Sequence, residues 1–545
     1  MSQPSPSPQP ATVLAWPRSA LVLVAFALVL CVYNLQLGAV QLWGDEADTG
    51  NFARSVLAHG VPKAIVGRNV MAYGDCYQLS ANLLSRRLPW LQYYVGAAST
   101  ALFGDDAAGL RRLFSWLGAL AFFPLWALLR TRIAWAPLGA AALLLQPQTV
   151  LFARQARYYP LVVLLFSTWL WNMVRAPNDR RHGLAISIAC SVLLFHSHPI
   201  AALGACVAFC AHAAWLDRER LRESIVASSL GFASWALWYL ALPELASATE
   251  SPLALMQQDF AAWLLQIGTG TLAGIRDLDR VGCLALLAWA LLLAYTLLAR
   301  TGAQLRAALR GPAAIVLFLM LSLLPLGAAV VGVETQDDLA VLRYMPHLSA
   351  LSLLPLMLAS HAALRSRLAC SGFVLLFTLS NLGALAFWSQ PAQLPAVPTS
   401  WWPAVYGELL QPPHDDLQDL VQSVRSSAAT ANAAPLLAVV PSYWTDVFVY
   451  YLGAEFRLVP DTVPGSACSQ TLAAALGTSH WEGLHARAQA GIFFGRIPRT
   501  PPGYDASFLP LHRDALDGAR PELTRHRFAS QAPATELTIL RAHGP

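Results

Sequence analysis

Asp45, Glu46 and Asp48 stand together directly after the first apolar run, in "QLWGDEADTGNFARSVLAHG" (41–60). Carboxylates beside a bilayer are costly unless they sit in water or do chemistry. Two readings stay open for them. Acids in the first turn of a helix are favoured by its macrodipole, and one of them could serve as a general base. Adjacent helical residues diverge by about 100°, so only one of Asp45 and Glu46 can face a substrate while the other orients it or a partner.

Three further polar clusters carry groups that bind anions or hydroxyls. "ARQARYYP" (153–160) holds Arg154, Arg157, Tyr158 and Tyr159, and "ETQDDLAVLRYMP" (334–346) ends in Arg343 and Tyr344 before Pro346. Each residue alone reads as an interface anchor, but paired Arg and Tyr at two places suit an anionic amphiphile, because a guanidinium grips phosphate with two parallel bonds. "FHSHP" (195–199) holds His196 and His198. At i and i+2 these rings diverge on a helix, so they would clip a metal only across an extended turn at Pro199 and with further ligands. The simpler reading is two imidazoles bonded to carbonyls or substrate hydroxyls. No cofactor is called for, and a divalent metal stays open.

The surrounding chain says where these clusters lie. Of its 545 residues 56% are hydrophobic and only 12% charged, with a mean hydropathy of +0.48. That excludes a soluble globule and a disordered chain and points to an α-helical polytopic membrane protein. The net charge of +5 comes from arginines in short loops, which report orientation; no nucleic-acid signature is present. Cys31, Cys190, Cys206, Cys210, Cys283 and Cys370 fall in apolar runs as small hydrophobes, while Cys76 and Cys468 lie in polar segments and could pair only if both are extracytoplasmic.

Apolar runs predict eleven spans near 19–37, 112–129, 133–151, 160–175, 183–196, 199–216, 223–241, 280–299, 312–332, 345–364 and 368–389. A twelfth run at 88–104 is short and aromatic. If it lies along the interface, every second short loop collects arginine (130–132, 175–181, 218–222, 300–310, 365–367), as cytoplasmic loops do. That gives an inside N-terminus and an outside C-terminus. Residues 1–17 form a disordered Pro/Ser tail before an uncleaved first helix, 18–389 the membrane domain, 38–111 its first outer loop and 390–431 an interfacial linker. In 432–545, "PLLAVVP", "FRLVP", "GIFFGR" and "ELTILRA" read as strands and "WTDVFVYYLG" as a helix, a small extracytoplasmic α/β domain.

This topology places all four clusters at the outer ends of helices, around one candidate cavity. A transporter or flippase would also gather charge there, but it should carry ionisable groups at mid-span and broken helices near the midplane. Spans 4, 8 and 11 contain no such groups, which favours an enzyme.

The clusters together resemble the membrane-embedded GT-C glycosyltransferases that use polyprenyl-phosphate sugars, related to protein O-mannosyltransferases and to bacterial enzymes that decorate lipid A. The carrying residues are "WGDEADTGNFARSVLAHGVP", "LPWLQYYVGAASTALFGDDAAGLRRLFSWLGAL", "ARQARYYPLVVLL", "HSHP" and "LRYMPHLSALSLLPLMLA". The resemblance implies that Asp45, within its Asp-Glu pair, deprotonates the acceptor, that Arg343 binds the carrier phosphate, and that horizontal helices follow the first span. It implies a polyprenyl-phosphate sugar donor and a glycolipid, lipopolysaccharide or protein acceptor at a bacterial cell membrane. Arg157, Tyr158 and Tyr344 are then expected at the donor phosphate, and Asp48, His196 and His198 at the acceptor or sugar.

Overall fold

The computed structural model describes residues 18–242, apart from breaks at 72–78, 81, 87, 134, 176–181 and 217, then short helical stretches between 260 and 425, and elements between 437 and 541. Arg343, Tyr344, Cys76, Cys468 and most of the four spans expected between 280 and 389 lie outside the described residues.

The first part is helical. α1 (Arg18–Asn34) leads through a turn into α2 (Gly44–His59), a two-stranded hairpin of β1 (Ile65–Val66) and β2 (Asn69–Val70), and α3 (Leu91–Phe103). α4 (Ala107–Leu120) and α5 (Phe122–Leu129) follow, then α6 (Ala136–Leu144), α7 (Pro147–Ala153), α8 (Tyr159–Met173), α9 (Gly183–Ser197), α10 (Pro199–Leu216) and α11 (Leu221–Ala241). α12 (Pro346–Leu351) packs on α7 and α8. Among the described residues, Ala107–Leu129 and Arg218–Ala241 are long and apolar enough to cross a bilayer, and Ser19–Asn34, Tyr159–Met173, Gly183–Ser197 and Pro199–Trp215 are shorter apolar helices.

Sequence punctuation sets the boundaries. Asp106 caps α4 by accepting from the Gly109 N–H at 2.6 Å, and α2 ends at Gly60 in the left-handed conformation that glycine enters without strain. The run expected as one span at 133–151 is two helices, because Pro147 cannot continue the ladder of α6. The carbonyls freed at this break are taken up locally: Tyr33 donates to Leu144 O at 2.8 Å and Tyr406 to Leu145 O at 2.6 Å.

α8 and α9 run antiparallel, and their two ends differ in chemistry. At one end Asn172 donates to Gly183 O, the Ser187 hydroxyl and Glu223, and Arg220 donates to the carbonyls of Asn172 and Arg175, drawing Arg175 and the 218–222 segment together. Tyr158 and His198 meet at the other.

The C-terminal segment forms a five-stranded mixed sheet, with β3 (Leu437–Pro441), β4 (Arg457–Asp461), β5 (Ala490–Arg496), β6 (Glu522–Phe528) and β7 (Thr535–Arg541) in the order β4-β3-β5-β7-β6. β3 pairs in parallel with β4 and β5, and α13 (Thr445–Leu452) makes the crossover from β3 to β4. α13 docks on α2: Asn51 donates to Asp446 O, Arg54 to Tyr450 O, and Asn69 exchanges bonds with Gly453 O and the Leu458 N–H.

Candidate active site

The first turn of α2 carries the acidic cluster, and the three carboxylates have different surroundings. Trp43 is the N-cap and its side chain makes no capping bond, and Asp45 and Glu46 are the second and third residues of the helix. Glu46 is fully buried. Arg111 of α4 holds it with two bonds, Nε to Oε1 at 2.8 Å and Nη2 to Oε2 at 2.5 Å, and the Ala156 N–H adds a third at 2.8 Å. Arg111 also donates to the carbonyls of Leu37, Val40 and Gln41, fixing the turn between α1 and α2. Glu46 is thereby committed to holding α2 against α4 and the α7–α8 corner.

Asp45 points elsewhere. Its Oδ2 pairs with Arg157 Nη2 at 3.1 Å, and its side chain keeps 18% of its surface exposed against 1% for Glu46. Arg157 Nη1 also donates to the Asp45 carbonyl at 3.0 Å, so one buried guanidinium bridges side chain and backbone of one residue. Asp48, one turn along, is buried close enough to Tyr93 for its charge to act on that phenol.

Tyr158 continues this wall. Its ring stacks on His198, centroids 4.2 Å apart and 13° from parallel, with the Arg157 guanidinium 5.6 Å from the ring centre. His198 is buried, and its Nδ1 accepts from the Ala201 N–H at 3.3 Å, which leaves the proton of a neutral ring on Nε2. Burial, followed by the neighbouring His347 and Arg157, pushes its pKa down to about 3. His196 faces away, half-buried, with its ring edge toward Trp238 of α11. The i, i+2 divergence is therefore seen: His198 stacks on Tyr158 and His196 lies toward Trp238. Among the described residues no group of three or more His, Cys, Asp or Glu could hold a metal.

The structure brings residues of three of the four clusters together: Asp45, Arg157, Tyr158 and His198 are neighbours at one end of the bundle. Arg154 behaves differently from Arg157. It donates to the carbonyls of Val32 and Tyr33, at 3.0 and 3.2 Å, and so ties down the end of α1. A cavity of about 230 Å³ opens beside Glu46 and Arg111, bordered by Gln41, Trp43, Arg154 and Gln155. Sequence reasoning passed over Arg111, although an arginine inside an apolar helix signals a buried partner, and over His347, which follows Pro346 in an otherwise apolar run.

No protein-family model matches the chain, and no curated protein matches it. Among solved structures, the crystal structure of ArnT from Cupriavidus metallidurans bound to undecaprenyl phosphate superposes with a TM-score of 0.51 at 13% identity, over 96% of this chain and 98% of that one. The apo state of the same protein gives 0.51 at 12% identity, over 97% and 99%. The chain thus shares the fold of ArnT, which agrees with the resemblance at the level of fold.

Proposed function

We propose that the chain is a membrane glycosyltransferase that moves a sugar from a polyprenyl-phosphate carrier to an acceptor hydroxyl at the extracytoplasmic face. The observation that carries this reading is the division of labour within the Asp-Glu pair. Arg111 and the Ala156 N–H hold the buried Glu46 carboxylate, whereas Asp45 keeps exposed surface beside the Arg157 guanidinium. The fold shared with ArnT, whose structure holds undecaprenyl phosphate, supports the class of donor.

In this reading Asp45 takes the proton of the acceptor hydroxyl as that oxygen attacks the anomeric carbon. The bond from anomeric carbon to phosphate oxygen breaks, the configuration inverts, and the carrier phosphate leaves. Arg157 is the guanidinium nearest this step, and Arg343 and Tyr344 join it from the sequence expectation. Before the donor arrives, Arg157 pairs with Asp45; the incoming phosphate competes for that guanidinium and frees the base. Asp48 and His198 line the sugar and acceptor side, and Glu46 with Arg111 positions α2.

A strain lacking the protein tests the reading. Mass spectrometry of its envelope glycolipids and glycoproteins should show one missing sugar, and purified protein should restore it from an undecaprenyl-phosphate-linked donor. An unaltered envelope, with no transfer from any such donor in vitro, sinks the proposal.

A further inference from the structure

His347 is an ionisable side chain inside the apolar core of the bundle. It is fully buried, and its neighbours in sequence, Leu348, Ala350 and Leu351, belong to the main hydrophobic cluster. Its ring lies against Phe166 at the middle of α8, centroids 5.0 Å apart. Neither ring nitrogen has a protein hydrogen-bond partner. Every neutral imidazole carries one N–H donor and one acceptor nitrogen, and leaving such a buried group unbonded is costly. A leucine at this position would fill the space without that cost.

The position of His347 links it to the candidate site. α12 packs on α8, whose outer end carries Arg157 and Tyr158, and His347 is close enough to His198 for the two rings to interact electrostatically, while His198 stacks on Tyr158. α12 also packs on α7, where Gln148 is fully buried with neither end of its amide hydrogen-bonded. An imidazole and an amide, each offering a donor and an acceptor, match hydroxyl groups, which also do both. A phosphate only accepts and would leave the acceptor nitrogen of the imidazole and the oxygen of the amide unmet.

We infer that His347, with Gln148, forms an inner subsite that binds the hydroxyls of the sugar on the lipid carrier, while Arg157 holds the phosphate. This rests on the proposed function and adds to it the group that distinguishes a loaded carrier from a spent one. His347 is a substrate-binding residue on this account, and the proton transfer stays with Asp45.

Binding measurements on the full-length protein in nanodiscs test it, with bare undecaprenyl phosphate and a panel of undecaprenyl-phosphate-linked hexoses and pentoses as probes. Wild type should bind at least one sugar-linked carrier about 10-fold more tightly than the bare carrier. His347→Leu should erase that preference, keep the affinity for bare carrier, and unfold at an equal or higher temperature. His347→Gln, which keeps a donor and an acceptor, should restore part of the preference and covers the case in which the leucine variant does not fold. An undiminished preference in either His347→Leu or His347→Ala, or a panel in which no member outbinds the bare carrier, overturns the inference alone. Failure of wild type to bind bare or loaded carrier overturns the functional reading beneath it as well.

Discussion

Glu46 and Arg111 form a buried two-pronged ion pair, at 2.8 and 2.5 Å, that joins the acidic turn of α2 to α4. Removing one partner of a buried pair leaves the other charge uncompensated, at a cost of about 3–5 kcal/mol. Glu46→Gln should therefore lower the unfolding temperature and the yield of folded protein. Activity per folded molecule should fall far less than in a variant of Asp45. Thermal unfolding alongside active-site titration separates the two effects, and full stability in Glu46→Gln would contradict the structural role.

Arg157 reaches both the side chain and the backbone carbonyl of Asp45. A lysine keeps the charge but not the planar fork. Arg157→Lys should lose at least ~10-fold in transfer and weaken carrier binding, measured by steady-state kinetics and by undecaprenyl phosphate affinity. Unchanged values would reduce Arg157 to an anchor.

His198 gives a pH dependence of stability. Its pKa, about 3 in the folded chain, lies below the ordinary value near 6.5. Between those limits the unfolded chain binds the extra proton, so stability is complete above about pH 6.5 and falls as the pH is lowered toward 3. At pH 5 the loss from this one group is about 2 kcal/mol. His198→Gln should flatten the unfolding temperature between pH 7 and 5; an equally steep decline would assign the effect elsewhere.

Gly50 of α2 lets α13 approach. A Cβ there would stand 2.4 Å from Tyr450 Cε2. Gly50→Ala should destabilise by about 1–3 kcal/mol and expose the chain between the bundle and the sheet to limited proteolysis. Gly50→Ala combined with Tyr450→Ala should recover part of the protection.

The particular residues explain how much of this was legible in the sequence. α8 to α11 fall within two residues of the expected spans, because uninterrupted apolar runs leave few alternatives. The expected strands β3, β4, β5 and β7 and the helix α13 are present, whereas β6 was passed over: "ELTRHRF" is charged in the manner of an edge strand, and it is the edge of the sheet. The α6–α7 break was hidden in an apolar run despite Pro147. It is also the broken helix expected of a transporter, but its carbonyls are bonded to Tyr33 and Tyr406. In the site, the order and type of the clusters pointed to one cavity. The choice between Asp45 and Glu46, and between Arg154 and Arg157, depended on long-range partners that no local pattern encodes.

The most direct measurement is sugar transfer by Asp45→Asn, made together with its affinity for undecaprenyl phosphate. Asparagine preserves shape and hydrogen bonding but cannot act as a base. The variant should fold and insert normally, bind the carrier at least as tightly as wild type because Arg157 loses its competitor, and transfer sugar at least ~100-fold more slowly. Near-normal transfer by Asp45→Asn would contradict the account, and an inactive Glu46→Gln of unchanged stability beside it would move the base to the neighbouring residue.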